Sequence, residues 1–258
     1  MKKSLVCLAL LAGVGSQSAI AYEAGDIIVR AGVTSVQPAD NDAIIYAANS
    51  TVHLSQASPA LTTSVDSNSQ LGLNFAYMLT ENWAIELLAA TPFQHDIKVK
   101  SGATELKLGE TKHLPPTLSA IYFFKNLTPS VTPYVGVGIN YTVFFEDNFA
   151  ANMQDDSIQV GGLNNTAIAD LASTLGLPAG TQSVGLRAKD LKLDNSWGLA
   201  AQVGLDVAVN DDWHINASAR YIDINTTAHF KATALEVAGQ ADVAVDPMVY
   251  TLSVGYTF

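Results

Sequence analysis

The sequence predicts an all-β protein: an eight-stranded antiparallel up-and-down transmembrane β-barrel with long extracellular loops and short periplasmic turns. Three observations predict it. The stretch Met248 to Phe258 alternates, with Met248, Tyr250, Leu252, Val254, Tyr256 and Phe258 on one face and Val249, Thr251, Ser253, Gly255 and Thr257 on the other. Side chains of a strand point to opposite faces with period two, so one face is apolar and the other small and mostly polar. The chain also opens with the marks of an export signal. Finally, long and short connections alternate between its strand-like segments.

The export signal comes first in the chain. Lys2 and Lys3 form a positive segment, Leu5 to Val14 a short apolar one, and Ala19-Ile20-Ala21 a small-x-small cleavage site. Residues 1–21 therefore read as a secretory signal peptide cut before Tyr22. Cys7 leaves with it, so residues 22–258 hold no cysteine and can form no disulfide, thiol nucleophile or thiolate metal site. Of 258 residues 237 remain, a length that suits one β-domain. Removing Lys2 and Lys3 takes the formal net charge from −11 to −13, which argues against nucleic acid as a partner. No later apolar run reaches the roughly 18 residues of a membrane helix. A barrel is the other structure that satisfies its backbone within lipid.

Eight strands follow in order. The first, about Asp26 to Thr34, sets Ile27, Val29, Ala31 and Val33 against Arg30. The second, about Asn68 to Leu79, sets Leu71, Leu73, Phe75, Tyr77 and Leu79 against Gln70, Gly72, Asn74 and Ala76. The third starts at Trp83 and opposes Ile85, Leu87 and Ala89 to Glu86; the fourth, about Leu114 to Phe124, turns Leu118, Ala120, Tyr122 and Phe124 outward. The fifth, about Val131 to Phe145, opposes an apolar face from Val135 to Phe145 to Tyr134, Gly136, Gly138, Asn140 and Thr142. The sixth, about Ser196 to Val209, opposes Trp197, Leu199 and Val203 to Gln202, Gly204 and Asp206. The seventh, about Trp213 to Thr227, opposes Ile215, Ala217 and Tyr221 to His214, Asn216, Ser218 and Arg220. The eighth is Met248 to Phe258 and must pair with the first to close the barrel.

Thr80-Glu81-Asn82 and Asn210-Asp211-Asp212 are three-residue hairpin connections in which Asn or Asp supplies a positive φ, and Lys125 to about Ser130 is also short. The others run about Ser35 to Ser67, Pro92 to His113, Glu146 to Asn195 and Ala228 to Val245. That asymmetry matches short periplasmic turns and long outer loops. The aromatics agree. Trp83, Trp213, Tyr256 and Phe258 fall at one level, and Trp197 with Tyr141 at the other, as expected of rings at the two membrane interfaces. In the long third loop, about 146–195, Thr166 to Leu175 has helical spacing, as a cover over the mouth or as a binding element.

Several motifs in order, His113-Leu114-Pro115-Pro116-Thr117-Leu118, then Pro133 to Phe145, then Asp194-Asn195-Ser196-Trp197-Gly198, then Asp246-Pro247, resemble the OmpW family of small outer-membrane proteins. The resemblance covers nearly the whole chain after residue 21. It implies a Gram-negative outer-membrane barrel that passes small hydrophobic molecules, as in the related AlkL-type alkane-uptake proteins, or a narrow ion-conducting pore. The rival expectation is a structural or surface-interaction barrel with a closed lumen whose loops bind partners. The resemblance also implies that the final aromatic strand is read by the outer-membrane assembly machinery. Lipid, lipopolysaccharide and small hydrophobic solutes are the other expected partners.

Lumen-facing candidates are Arg30, Glu86, Tyr134, Asn140, Gln202, Asp206, His214, Asn216 and Arg220. An eight-stranded barrel is just wide enough for such side chains to fill it, and buried charges must pair. They form either a stabilising plug or the lining of a pathway. If the interior is plugged, the family suggests a sideways exit for an apolar solute. Pro92, Pro115, Pro116 and Pro247 sit near outer strand ends and could mark that lateral gap, because proline cannot donate to a ladder. His53, His95, His113 and His229 map near the outer rim, but no serine neighbours them in a hydrolase pattern and their spacing is not that of a zinc site. No catalytic residue, metal site or cofactor is expected. Acidic loop residues such as Asp155 and Asp156 serve solubility or bridge to lipopolysaccharide through divalent cations.

Overall fold

The computed structural model describes residues 22–39, 43–47, 50–53, 62–101, 104–125, 127, 130–150, 188–232 and 237–258. The described residues form sixteen strands: β1 (Ile27–Gln37), β2 (Ala43–Ala47), β3 (Ser50–His53), β4 (Thr62–Val65), β5 (Asn68–Met78), β6 (Trp83–Ala90), β7 (Phe93–Ser101), β8 (Thr104–Leu114), β9 (Thr117–Phe123), β10 (Val131–Phe149), β11 (Ala188–Leu193), β12 (Ser196–Ala208), β13 (Trp213–Ile222), β14 (Asn225–Ala232), β15 (Val237–Ala244) and β16 (Met248–Thr257). Eight of them close an antiparallel barrel in the order β1-β5-β6-β9-β10-β12-β13-β16. The seam runs from Ile28 opposite Thr257 to Gln37 opposite Met248.

Period-two alternation decides which side chains enter the lumen. Leu71, Phe75, Leu118, Val137, Leu199 and Leu252 stand exposed on the outer wall, while their chain neighbours Asn74, Ser119, Gly136, Ala200 and Ser253 are buried. An apolar belt of this extent is stable against lipid and would be an association surface in water. Rings border the belt at both levels. Trp83 meets Tyr122 at 5.1 Å, Tyr122 meets Phe124 at 5.0 Å, Trp213 meets Tyr256 at 5.0 Å, and Tyr256 meets Phe258 at 4.6 Å. At the opposite level Tyr141 packs on Trp197 at 4.4 Å.

The turns at Thr80–Asn82 and Asn210–Asp212 do not use positive φ. Among described non-glycine residues only Glu146, Asp190 and Asp246 adopt it. Side chains hold these turns instead. Thr80 Oγ1 accepts from the Trp83 amide at 3.0 Å, and Asn210 Oδ1 accepts from the Trp213 amide at 2.8 Å and the Asp212 amide at 3.0 Å.

The expected outer loops are also different. All four of them contain strands: β2 to β4 within Ser35–Ser67, β7 and nearly all of β8 within Pro92–His113, β11 within Glu146–Asn195, and β15 with most of β14 within Ala228–Val245. β4, β7 and β8 continue the wall beside the upper part of β10, and β11, β14, β15, β2 and β3 make a second sheet. Above the lipid both faces of a strand meet polar surroundings, so the apolar stripe that reveals a membrane strand fades. Gln94, Lys98, Lys107 and Lys112 illustrate this on β7 and β8. Strand limits shift accordingly: Leu114 belongs to β8, β10 reaches Phe149, and the seventh barrel strand ends at Ile222. The signal segment, Thr166 to Leu175, and Asp155 and Asp156 lie outside the described residues.

Candidate functional site

The lumen is layered. At its middle, Arg30 on β1 reaches three strands at once: Nη1 donates to Glu86 Oε2 at 3.1 Å, Nη2 to Asp206 Oδ2 at 2.6 Å, and Nε to His214 Nε2 at 3.2 Å. Glu86 Oε1 accepts from Arg220 Nη2 at 2.6 Å and from Gln202 Nε2 at 3.0 Å. Arg220 also donates to Gln202 Oε1 through Nε at 3.0 Å and through Nη2. Asn216 Nδ2 donates to Asp206 Oδ1 at 2.7 Å and to the Tyr134 hydroxyl at 2.9 Å. Two guanidinium groups thus face two carboxylates, Arg30 pairing with both Glu86 and Asp206 and Arg220 with Glu86. Such a layer holds together because each charge has its partners, and it is costly to open one partner at a time. Small residues make room for it. A Cβ at Gly204 would enter the Tyr134 ring, and one at Gly255 would enter the His214 imidazole.

Below this layer the lumen is apolar and closed from the periplasmic side. Ile28, Met78, Ile121, Phe123 and Tyr134 cluster there with Tyr22. Gly25, at φ 102°, turns the chain from the wall into the lumen. Tyr22 then packs against Phe123 in a tilted pair, ring centroids 4.9 Å apart, and its hydroxyl donates to Asp206 Oδ2 at 2.6 Å.

Above the layer is a second apolar cluster, Val36, Phe93, Ala200, Ile222, Ile224 and Val249, with Ala90, Phe144 and Val245 packed against it. Phe93, His113 and Phe144 form a stack with ring centroids 5.5 and 5.8 Å apart and planes 30° apart in each pair. His95 joins it, Nε2 facing His113 Nε2 at 2.9 Å and Nδ1 facing the Asp66 carbonyl at 2.5 Å. Phe93, His95 and His113 lie on the extracellular β7–β8 hairpin, and Phe144 on the upper part of β10. Burial, reinforced by the neighbouring His95 ring, pushes His113 down to about 3. Burial also lowers His95, against the opposing pull of the Asp66 carbonyl.

The wall is interrupted beside this cluster. The β6–β9 ladder ends at Leu88 opposite Thr117, and the β7–β8 ladder begins at Phe93 opposite His113. Between them, Ala89 to Pro92 and Leu114 to Pro116 have no ladder pair with each other, although Ala89 and Ala90 stay paired with Leu73 and Gly72, and Leu114 with Val143. Pro92, Pro115 and Pro116 have no N–H to offer there. Asn140 holds the far side, donating through Nδ2 to the Pro116 carbonyl and to Thr117 Oγ1, both at 3.0 Å.

The comparisons agree with this architecture. The OmpW family model matches residues 23–178 and 176–258. The chain belongs to the OmpW family. It is 40% identical over 260 residues to outer membrane protein W of Vibrio cholerae, covering all of both chains. The crystal structure of OprG from Pseudomonas aeruginosa superposes with a TM-score of 0.71 at 35% identity, covering 94% of this chain and 98% of that one. The solid-state NMR structure of outer membrane protein AlkL shares the fold, at a TM-score of 0.56 and 19% identity, covering 100% and 97%. This OmpW-family protein therefore resides in the outer membrane of Gram-negative bacteria.

Among the residues singled out from sequence, Arg30, Glu86, Tyr134, Gln202, Asp206, His214, Asn216 and Arg220 are buried in one connected layer. Asn140 is buried as well, but higher, beside the wall interruption. Pro92, Pro115 and Pro116 border that interruption. Pro247 lies elsewhere, buried between β15 and β16 with its carbonyl accepting from the Ile222 amide. Trp83, Trp197, Trp213 and Phe258 are exposed on the outer wall, and Tyr256 is half-buried among its ring partners. His229 pairs with Asp194 at 2.9 Å; the side chain of His53 lies outside the described set. Two contributors escaped sequence reasoning. Tyr22 carries no periodic signal because it precedes the first strand. The His95–His113 contact needs the hairpin register, in which His95 faces Thr111 and Phe93 faces His113.

Proposed function

We propose that this protein is an outer-membrane channel for small hydrophobic molecules, which enter at the extracellular mouth and leave sideways into the bilayer. The observation that carries the reading is the interrupted ladder beside an apolar cluster, directly above a layer of paired charges. Downward passage would strip Arg30, Glu86, Asp206 and Arg220 of their partners, and an apolar solute offers no replacement. Sideways passage meets Ala89, Ala90 and Leu114 and then lipid tails, so the solute stays in apolar surroundings. On this reading no covalent chemistry is involved. Bilayer lipid, lipopolysaccharide and the solute are its partners, and the assembly machinery recognises the aromatic end of β16.

A cross-link over the interruption tests the reading. Pro92→Cys with Leu114→Cys places two thiols next to the paired Phe93 and His113, in a chain otherwise free of cysteine after residue 21. Cells with the oxidised variant should take up a long-chain alkane at the rate of cells lacking the protein, and a reductant should restore uptake. Equal uptake in cells with and without the wild-type protein would sink the proposal and favour a closed barrel whose loops bind partners.

A further inference from the structure

One member of the lumenal layer does not belong to the wall. Tyr22 precedes β1 and lies outside every ladder, yet it is 1% exposed. It reaches across the barrel, since β9, β10 and β12 stand opposite β1 in the closed order. Its ring packs against Phe123 of β9 and meets His214 of β13 edge-on at 6.2 Å, and its hydroxyl donates to Asp206 of β12. Lys125 Nζ donates to its carbonyl at 2.5 Å. The link to the wall, Glu23, Ala24 and Gly25, is exposed. Asp26 closes that turn, its amide donating to the Glu23 carbonyl at 3.3 Å and its carboxylate accepting from the Glu23 amide at 2.7 Å. Gly25 sets the direction, at φ 102° and with open space where a Cβ would stand.

The charged members of the layer lock one another in place, and Tyr22 escapes that lock. When it leaves, Asp206 Oδ2 keeps Arg30 Nη2 at 2.6 Å and Oδ1 keeps Asn216 Nδ2 at 2.7 Å. No charge loses its counter-ion. The freed hydroxyl and carbonyl meet water at the periplasmic surface, where hydrogen bonds are exchanged at small net cost. Burial of one ring and one hydrogen bond hold the residue in. Arg30 has no such freedom, because its backbone is laddered to β5 on one side and β16 on the other.

We propose that residues 22–25, free at one end once the export signal is cut before Tyr22, are a hinged gate on the periplasmic floor of the barrel. Docked, Tyr22 completes the apolar cluster beneath the layer and seals it. Undocked, it admits water and small neutral hydrogen-bond donors to Asp206 from below. Arg30, Glu86 and Arg220 keep their pairing in both states, so the gate opens a periplasmic pocket and no path to the mouth. It stands at the opposite end of the barrel from the lateral passage and holds whichever way apolar solutes leave.

Labelling of a lumenal thiol tests the gate, in a chain free of cysteine after residue 21. Ala208→Cys places the thiol on the inward face of β12, two residues below Asp206; Ala200→Cys places it on the same face above the layer, and both sites are buried. Closed barrels, selected by heat-modifiable migration, are treated in micelles with 2-hydroxyethyl methanethiosulfonate, a small neutral thiol reagent, and followed by intact mass. Adding Tyr22→Ala should speed reaction at position 208 by roughly tenfold or more. Gly25→Ala keeps every docking side chain but strains the positive φ of the docked turn, and should speed it by about tenfold. Tyr22→Phe, which loses one hydrogen bond, should speed it by about fivefold. Reaction at position 200 should stay at its original rate throughout. An unchanged rate at 208 in Tyr22→Ala or in Gly25→Ala overturns the proposal, because the wall alone then closes the floor. Equal acceleration at 200 and 208 overturns it as well, because the barrel then loosens as a whole.

Discussion

At mid-barrel, Glu86 accepts from Arg30, Arg220 and Gln202, and both of its oxygens are engaged. At the mouth, His113 keeps one nitrogen bare and the β6 ladder stops at Leu88. Both regions are built from the same inward-pointing alternation. They differ in charge: at mid-barrel each carboxylate meets a guanidinium, whereas the mouth cluster is apolar and neutral, and each region leaves one imidazole Nδ1, of His214 and of His113, without a described partner. A matched layer resists a solute because every rearrangement leaves a charge exposed in a low-dielectric interior. An apolar region with an unpaired wall resists less, since ring rotation and a missing ladder leave no ion uncovered. In the proposed channel, barrier and doorway arise from one strand pattern, through the choice of side chains at a few inward positions.

The comparison breaks most severely at Glu86. Glu86→Ala leaves Arg30 and Arg220 short of their shared acceptor and should cost about 3–5 kcal/mol of barrel stability. Urea unfolding in lipid vesicles, read by heat-modifiable migration, measures this; a midpoint near wild type would mean that the layer is not the barrier described. Acid tests the mouth. His113 stands at about 3 in the fold and near 6.5 when free. The unfolded chain therefore takes up a proton that the fold refuses. Stability from this group is full above pH 6.5 and falls as pH drops toward 3, with His95 acting in the same direction. Between pH 7 and 4 the wild type should lose about 2–3 kcal/mol that His113→Phe does not lose. Parallel pH curves for the two proteins would contradict the buried neutral pair. The smallest effect belongs to the edge of the doorway. Asn140→Ala removes the hydrogen bonds to the Pro116 carbonyl and Thr117, costs about 1–2 kcal/mol, and should speed alkane uptake without altering the mid-barrel layer. Slower uptake would show that Asn140 shapes the passage rather than bracing it.

How much of this was legible in the sequence follows from the same physics. Within the membrane one wall face must be apolar, so parity alone assigned Leu252 and Val254 outward and Arg30 and Asp206 inward. Their mutual contacts follow from pairing in so narrow a barrel. Above the membrane that constraint lapses, and β7, β8, β14 and β15 read as loops. The alternation of Leu106 and Leu108 with Lys107 was a faint trace of β8. The histidines were visible as residues but not as a pair, because a register shift between Ile97 and Lys98 sets which of them meet. The turns misled for a different reason. Thr80 and Asn210 act through side-chain oxygens, and a sequence does not distinguish that role from tolerance of positive φ.

The seam between β1 and β16 has a consequence in time. β5 and β6 meet across a four-residue turn, whereas Ile28 meets Thr257 only after nearly all other strands exist. Contacts so distant along the chain form late, because loop closure must precede any gain from them. Until β16 docks, β1 and β13 each present a row of unpaired backbone groups, which hydrocarbon does not tolerate. A half-made barrel therefore has no resting place inside the bilayer. The molecule must wait outside the hydrocarbon, or under escort, and enter as a finished cylinder.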